Sequence, residues 1–388
     1  MNGCIKKRGK ESWRIRIFTG YDENGKQTFI TKTVRGKKDE AQEAARKILD
    51  DLGKGIHRKR NKLTLAEYMQ QFLNTTGKLK YAGTTLHRYK EIVQLHLIPN
   101  LGDIQLQKLT SNDIREYYAE ALESGNRQRK GDGLSKRTVL HHHRLLHKIL
   151  EQAISDDIIA VNPAHKRIAP KPEDKDEMNV ITPDEAEHLL EVAHTCKYLD
   201  CIKLALQTGM RRSEILAAKW GDVNWGSSTI NVSRSLEQVE RSIGEKSTKT
   251  KAGRRALVLM PTTLSLLRYV KAKQAQDKLF MGEAYSDKGY IFAEPNGDCM
   301  NPDALTHSFI HYRTKAKLNL TFHDLRHCHA SWLLAAGVHP KIVSERLGHS
   351  SVQITLDLYS HLLPSIQAAG IAKLAEMLGD YKSFAYVA

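Results

Sequence analysis

Between Ser12 and Val34 the chain alternates. SWRIRIF at 12–18 sets apolar residues against arginines with the two-residue period of a half-buried strand, and QTFITKTV at 27–34 reads as a second strand. DENG at 22–25 supplies turn chemistry between them. From about Lys38 to Leu52 the apolar spacing becomes helical, so residues 1–55 are expected to form a small three-stranded sheet packed on one helix. The stretch 56–62 is polar and basic and reads as a linker. Helical spacing then returns. Thr64 followed by Glu67 is a capping-box pattern, and Leu65, Tyr68, Met69, Phe72 and Leu73 share one apolar face. Further helices are expected at about 85–97, ending at Pro99, then at 111–122 and 135–154, which makes residues 63–161 a helical bundle.

The segment 162–177 holds three prolines and many charges, a second linker. After it, Thr182, Pro183 and Glu185 supply an N-cap, a first-turn proline and a capping carboxylate for a helix that buries Ala186, Leu189, Leu190 and Ala193. STINVSRSL at 228–236 and RRALVLM at 254–260 read as strands joined by a charged stretch, and most later segments are helical. Residues 178–365 are therefore expected to form a mixed α/β domain. A tail at 366–388 has helical apolar spacing through Ile366, Ala369, Ile371, Leu374, Met377 and Leu378, and packing on its own domain or on a second copy is equally open. The whole is a multidomain chain, mainly α with small β-sheets.

Charge sharpens this picture. Among 388 residues, 60 Lys and Arg face 44 Asp and Glu, a net +16, so a polyanionic partner is the first expectation. The first 60 residues alone hold 17 basic against 8 acidic side chains, which makes that end a basic module. No apolar run approaches the roughly 18 residues of a membrane span, and MNGCIKKRGK lacks a secretory apolar stretch, so a soluble cytoplasmic protein with no membrane partner is expected. Five scattered cysteines, never C-x-x-C, speak against a disulfide framework or a thiolate metal site. His141, His142 and His143 are consecutive, point to different sides of a helix and cannot share one metal ion; they read as core or DNA-facing residues.

Candidate chemistry lies in four segments of the last 180 residues. LALQTGMRRSEILAAKW at 204–220 is a helix broken at Gly209, with Arg211 opening a new turn and Glu214 three residues on. KSTKTKAGRRALVL is a basic hairpin turn containing Lys249. TFHDLRHCHASWLL places His323 and Arg326 on one helical face, and in ERLGHSSVQITLDLYSHL Tyr359 follows His349 by ten residues. Two arginines can clamp a phosphate, lysine and histidine can exchange protons, and tyrosine can attack as a nucleophile. Together they describe phosphoryl transfer through a phosphotyrosine. An unperturbed tyrosine, with a pKa of about 10, is ionised to about one part in a thousand at pH 7, so it needs a base or a cationic pocket.

These segments resemble the catalytic domain of the tyrosine recombinases, the phage-integrase family. TGMRRSE matches the first arginine box, HDLRH the His-x-x-Arg box, LGHSS the following histidine and TLDLYSH the nucleophile box, in the family's order. The resemblance implies an arm-type DNA-binding domain at 1–55, a SAM-like helical core-binding domain at 63–161 and a catalytic domain at 178–365. It implies Tyr359 as the nucleophile of a 3′-phosphotyrosyl link, Arg211 and Arg326 as the phosphate clamp, His323 as the base and His349 as a donor to the phosphate. It further implies Lys249 as the general acid, with Lys246 and Lys251 as flanking alternatives, and Glu214 as a brace for the arginine box. No metal, ATP or other cofactor is implied. The implied partners are double-stranded DNA at core and arm sites, a homotetramer on paired sites, and host DNA-bending and excision-directionality proteins. The implied activity is site-specific integration and excision of a prophage or conjugative transposon. Against it stand a metal-dependent nuclease using His323, His327 and Asp324 or His329, a DNA-binding regulator without catalysis, and a type IB topoisomerase.

Overall fold

The computed structural model describes residues 3–21, 25–53, 62–127, 129, 131–171, 179–239, 242–247, 253–359 and 363–379. The chain divides into two compact units, Met1–Lys175 and Asp176–Ala388.

In the first unit, β1 (Gly3–Gly9), β2 (Ser12–Tyr21) and β3 (Gln27–Arg35) form an antiparallel sheet in that order. Strand alternation does what the pattern implies. Ile15 and Ile17 are fully buried against Ala45 and Ile48 of the Lys38–Gly53 helix, while Arg14 and Arg16 of the same strand stay exposed. Arg16 stacks on the Phe29 ring at 3.8 Å, held on the cationic face by a cross-strand neighbour.

The helical part has its own core, built on Leu65, Tyr68, Val93, Leu97, Ile114, Leu146 and Ile149 among others. Thr64 and Glu67 form the expected reciprocal cap on the Leu65–Phe72 helix. The helix expected to stop at Pro99 instead runs on through Ile98–Leu101. The reason lies one turn earlier: Gly83–Ile92 passes into a π turn at Val93–Leu97, where Ile98 N–H reaches Val93 O, and this wider register takes in a residue with no N–H. Ser111–Ser124 and Lys136–Ser155 complete the group. His142 and His143 are core residues, hydrogen-bonded through Nδ1 to the Tyr117 and Tyr118 hydroxyls at 2.7 and 2.8 Å. The start of the expected second linker packs on this core. Ala164 is fully buried, and Asn162 donates to Glu151 and to the His147 carbonyl.

In the second unit Thr182 and Glu185 cap Pro183–Val192 as expected. The two expected strands are present as β5 (Thr229–Val232) and β8 (Arg255–Val258), in a sheet ordered β4–β5–β8 with the short β4 (Val223–Asn224). The charged stretch between them is not a simple connection. It carries a hairpin of β6 (Arg234–Val239) and β7 (Ser242–Ser247). The hairpin is pinned by ion pairs: Lys246 to Glu237 at 3.1 Å across it, Lys219 to Glu245 at 2.5 Å at its base. Helices Leu199–Thr208, Arg212–Ala217, Pro261–Met281, Pro302–Lys315 and Asp324–Ala335 close the largest core around Ile202, Leu216, Ile230, Leu267, Phe309 and Leu325. Pro340–Leu347 packs on Asp324–Ala335 through Ala330, Leu334, Val343 and Leu347. Among the described residues no helix is long and apolar enough to cross a membrane.

Candidate active site

Two helix ends build the site. Leu199–Thr208 stops at Gly209, in the left-handed region at φ 67°, and Pro340–Leu347 stops at Gly348, at φ 69°. The carbonyls at these ends become arginine acceptors. Arg326, 2% exposed, donates from Nη1 to Gly209 O at 2.8 Å and from Nη2 to Leu347 O, while Arg211 Nη2 reaches Gly348 O at 3.4 Å. One buried guanidinium thus ties the first arginine box to the His349 segment.

Arg211 follows the broken helix as expected and caps Arg212–Ala217. Glu214 accepts the Arg211 backbone N–H at 2.9 Å and its Nη1 at 2.7 Å, contacts of the kind the brace implied by the resemblance requires. Burial pushes the Glu214 carboxyl upward, but Arg255 and Arg211 outweigh it and hold it below the usual carboxylate range. Arg211 itself is 37% exposed, so an anion can reach it.

His323 occupies the N-cap position of the Asp324–Ala335 helix, three residues before Arg326. Burial first, then the charges of His327, Arg326 and Arg211, depress it to about 4, so its ring is neutral at pH 7 and able to accept a proton. His349 is depressed to about 4 by burial and by Arg326, Arg211, His327 and Arg255. Its Nδ1 hydrogen-bonds Thr355 Oγ1 at 2.8 Å, which fixes the ring. Arg211 and Arg326, with the two neutral histidines His323 and His349 close enough to feel their charge, therefore form one cluster drawn from three separate segments.

Tyr359 is the last residue of the Val352–Tyr359 helix, which begins three residues after His349. Lys249 and Lys251 lie outside the described residues. Lys246 is ion-paired to Glu237 within the hairpin.

The rival nuclease set does not converge. His323 and His327 meet edge to face at 5.1 Å, but His329 Nδ1 bonds Leu206 O at 2.8 Å and its Nε2 accepts from Arg346 Nε at 3.0 Å. Asp324 accepts the Thr321 backbone N–H at 2.6 Å. Among the described residues no group of three His, Cys, Asp or Glu side chains could hold a metal ion.

Sequence reasoning missed Arg255 and Arg346. Arg255 Nη1 and Nη2 grip both Glu214 oxygens, and its Nε donates to Arg346 O at 2.6 Å. The only signal was the second arginine of GRRALVL, one basic residue among many.

A helical unit followed by an α/β unit that presents two arginines and two histidines ahead of a helix-borne tyrosine defines the tyrosine-recombinase class. The comparisons agree. Residues 179–365 match the phage integrase family and residues 64–122 the phage integrase N-terminal SAM-like domain. A tyrosine recombinase XerC-like protein of Caldanaerobacter subterraneus subsp. tengcongensis is 26% identical over 96% of this chain and 97% of its own length. By fold, the Tn1549 transposon integrase in complex with a circular intermediate DNA matches with a TM-score of 0.65 at 21% identity, covering 81% of this chain and all of that one. A lambda integrase tetramer bound to a Holliday junction matches with a TM-score of 0.57 at 18% identity, over 89% and 95%. The chain belongs to the phage integrase family of tyrosine recombinases.

Proposed function

We propose that this recombinase integrates and excises a mobile element by breaking and rejoining DNA through a 3′-phosphotyrosine at Tyr359. The observation that carries the reading is the clustering of Arg211, Arg326, His323 and His349, with Tyr359 ten residues beyond His349. The Tyr359 oxygen attacks the scissile phosphorus, its proton passes to neutral His323, and the bond to the 5′-oxygen breaks as Lys249 protonates that oxygen. The arginines and His349 meet the nonbridging oxygens, whose charge rises in the transition state. Attack by a 5′-hydroxyl of the partner strand reverses the step, so the bond energy is kept and a Holliday junction forms on the way.

The DNA is double-stranded, at core and arm sites, with residues 1–55 on the arm site and 63–161 on the core site. The cationic strand face and the net +16 suit that use. The working assembly is a homotetramer on paired sites in the bacterial cytoplasm, at the nucleoid, assisted by DNA-bending and directionality proteins. Ile371, Leu374 and Met377 of the Leu363–Gly379 helix are 59%, 44% and 63% exposed on the single chain, which favours the tail docking on a neighbouring protomer.

Trapping on nicked duplexes from the element's flanks tests the mechanism. Wild type should leave an EDTA-resistant adduct that maps to Tyr359, and Tyr359→Phe should bind the same DNA but leave none. An adduct in that variant would refute the assignment.

A further inference from the structure

Arg255 opens β8 with its side chain 7% exposed, and its fork is bidentate on Glu214: Nη1 to Oε1 at 3.2 Å and Nη2 to Oε2 at 2.9 Å. The same carboxylate receives Arg211 Nη1 at 2.7 Å. Two guanidiniums thus share one buried anion. If Glu214 faced Arg211 alone, it would hold that side chain in place and also cancel the charge that draws a phosphate. With Arg255 present the three groups carry one net positive charge. The member that reaches solvent is Arg211, at 37% exposed against 7% for Arg255 and 3% for Glu214.

We propose that Arg255 is a positioning residue that takes up the negative charge of Glu214, so that Glu214 can brace Arg211 without neutralising it toward phosphate. The proposal rests on Arg211 as a phosphate ligand, as read above. Arg255 also fixes the acceptors of the clamp. Its Nε holds Arg346 O, and the next two carbonyls, of Leu347 and Gly348, receive Arg326 and Arg211. The first function is electrostatic and the second is steric, and charge-removing variants of matched shape separate them.

The test titrates the full chain with inorganic phosphate, followed by NMR, for wild type, Arg255→Gln, Glu214→Gln and the double variant. Adduct formation at saturating DNA is measured alongside. Arg255→Gln should weaken phosphate binding by about tenfold or more, since a uniform charge is lost beside the anion. Glu214→Gln should leave affinity intact or raise it, and the double variant should return to within about threefold of wild type. Both single variants weakening phosphate, with the double weakest, would mark Arg255 as a steric brace and overturn the proposal. So would a wild type that binds no phosphate. Where Arg255→Gln fails to fold, Arg255→Lys decides: retained phosphate affinity supports the charge role, and a tenfold loss refutes it. The full phosphate pattern in a wild type that forms no adduct on any flank would sustain the role of Arg255 and sink the recombination mechanism instead.

Discussion

Arg326 and Glu214 are charged and almost wholly withdrawn from water, at 2% and 3% exposed, a placement that costs several kcal/mol unless partners compensate. Both are compensated, Glu214 by two guanidiniums and Arg326 by the carbonyls of Gly209 and Leu347. Lysine carries the same charge but has no planar fork to serve two carbonyls while facing a third acceptor. Arg326→Lys should therefore slow adduct formation on the order of 100-fold while DNA affinity shifts little; equal rates on a nicked duplex would count against the clamp. The boxes were legible because phosphoryl chemistry needs arginine, histidine and tyrosine in characteristic company. Arg255 was not, because a charge that acts through another residue carries no motif of its own. Its meaning lies in a contact across 41 positions of chain.

Capping chemistry was legible too, as at Thr64 and Thr182, because a cap is a local hydrogen bond between residues three apart. The passage through Pro99 and the β6–β7 hairpin were not. The first depends on a π turn that no apolar spacing announces, and the second on cross-strand ion pairs such as Lys246 to Glu237 rather than on alternating apolar residues. The Lys136–Ser155 helix carries a consequence of its own. His142 is 1% exposed and depressed to about 4, by burial first and then by His96, His141 and Arg88. A histidine lowered in the folded state binds protons more readily when unfolded, so its contribution is intact above about pH 6.5 and is lost as pH falls toward 4. That loss amounts to about 3 kcal/mol for His142 alone. Urea unfolding followed from pH 7 to 4.5 should show the helical unit weakening, and His142→Phe should flatten the dependence.

At the scale of the whole chain, each unit carries its own cores. The first unit has one under the N-terminal sheet and one within the helical bundle, and the second has the largest together with the small one around Leu334 and Leu347. Separate cores allow separate loss. A chain lacking residues 1–55 should lose binding to the distal arm site and still form the covalent adduct at the core site; integration equal to the full chain would remove the arm role from that sheet. The break between the two compact units falls in a stretch whose prolines and charges the sequence displays openly. The packing of 162–164 onto the bundle was not legible, since a proline-rich, charged stretch looks alike whether it spans a gap or lines a core.

Gly209 and Gly348 donate no side chain to the reaction, yet both arginines hang on the backbone at these two turns. A Cβ at 209 would stand 2.8 Å from both His329 Cδ2 and Leu347 Cδ2, and both positions hold a left-handed φ that side chains resist. Every single-nucleotide missense change in a glycine codon adds a side chain. In a screen of random mutants these two silent positions would thus rank beside the arginines, and drift in the gene is constrained as tightly by what the backbone must leave empty as by what the side chains must supply.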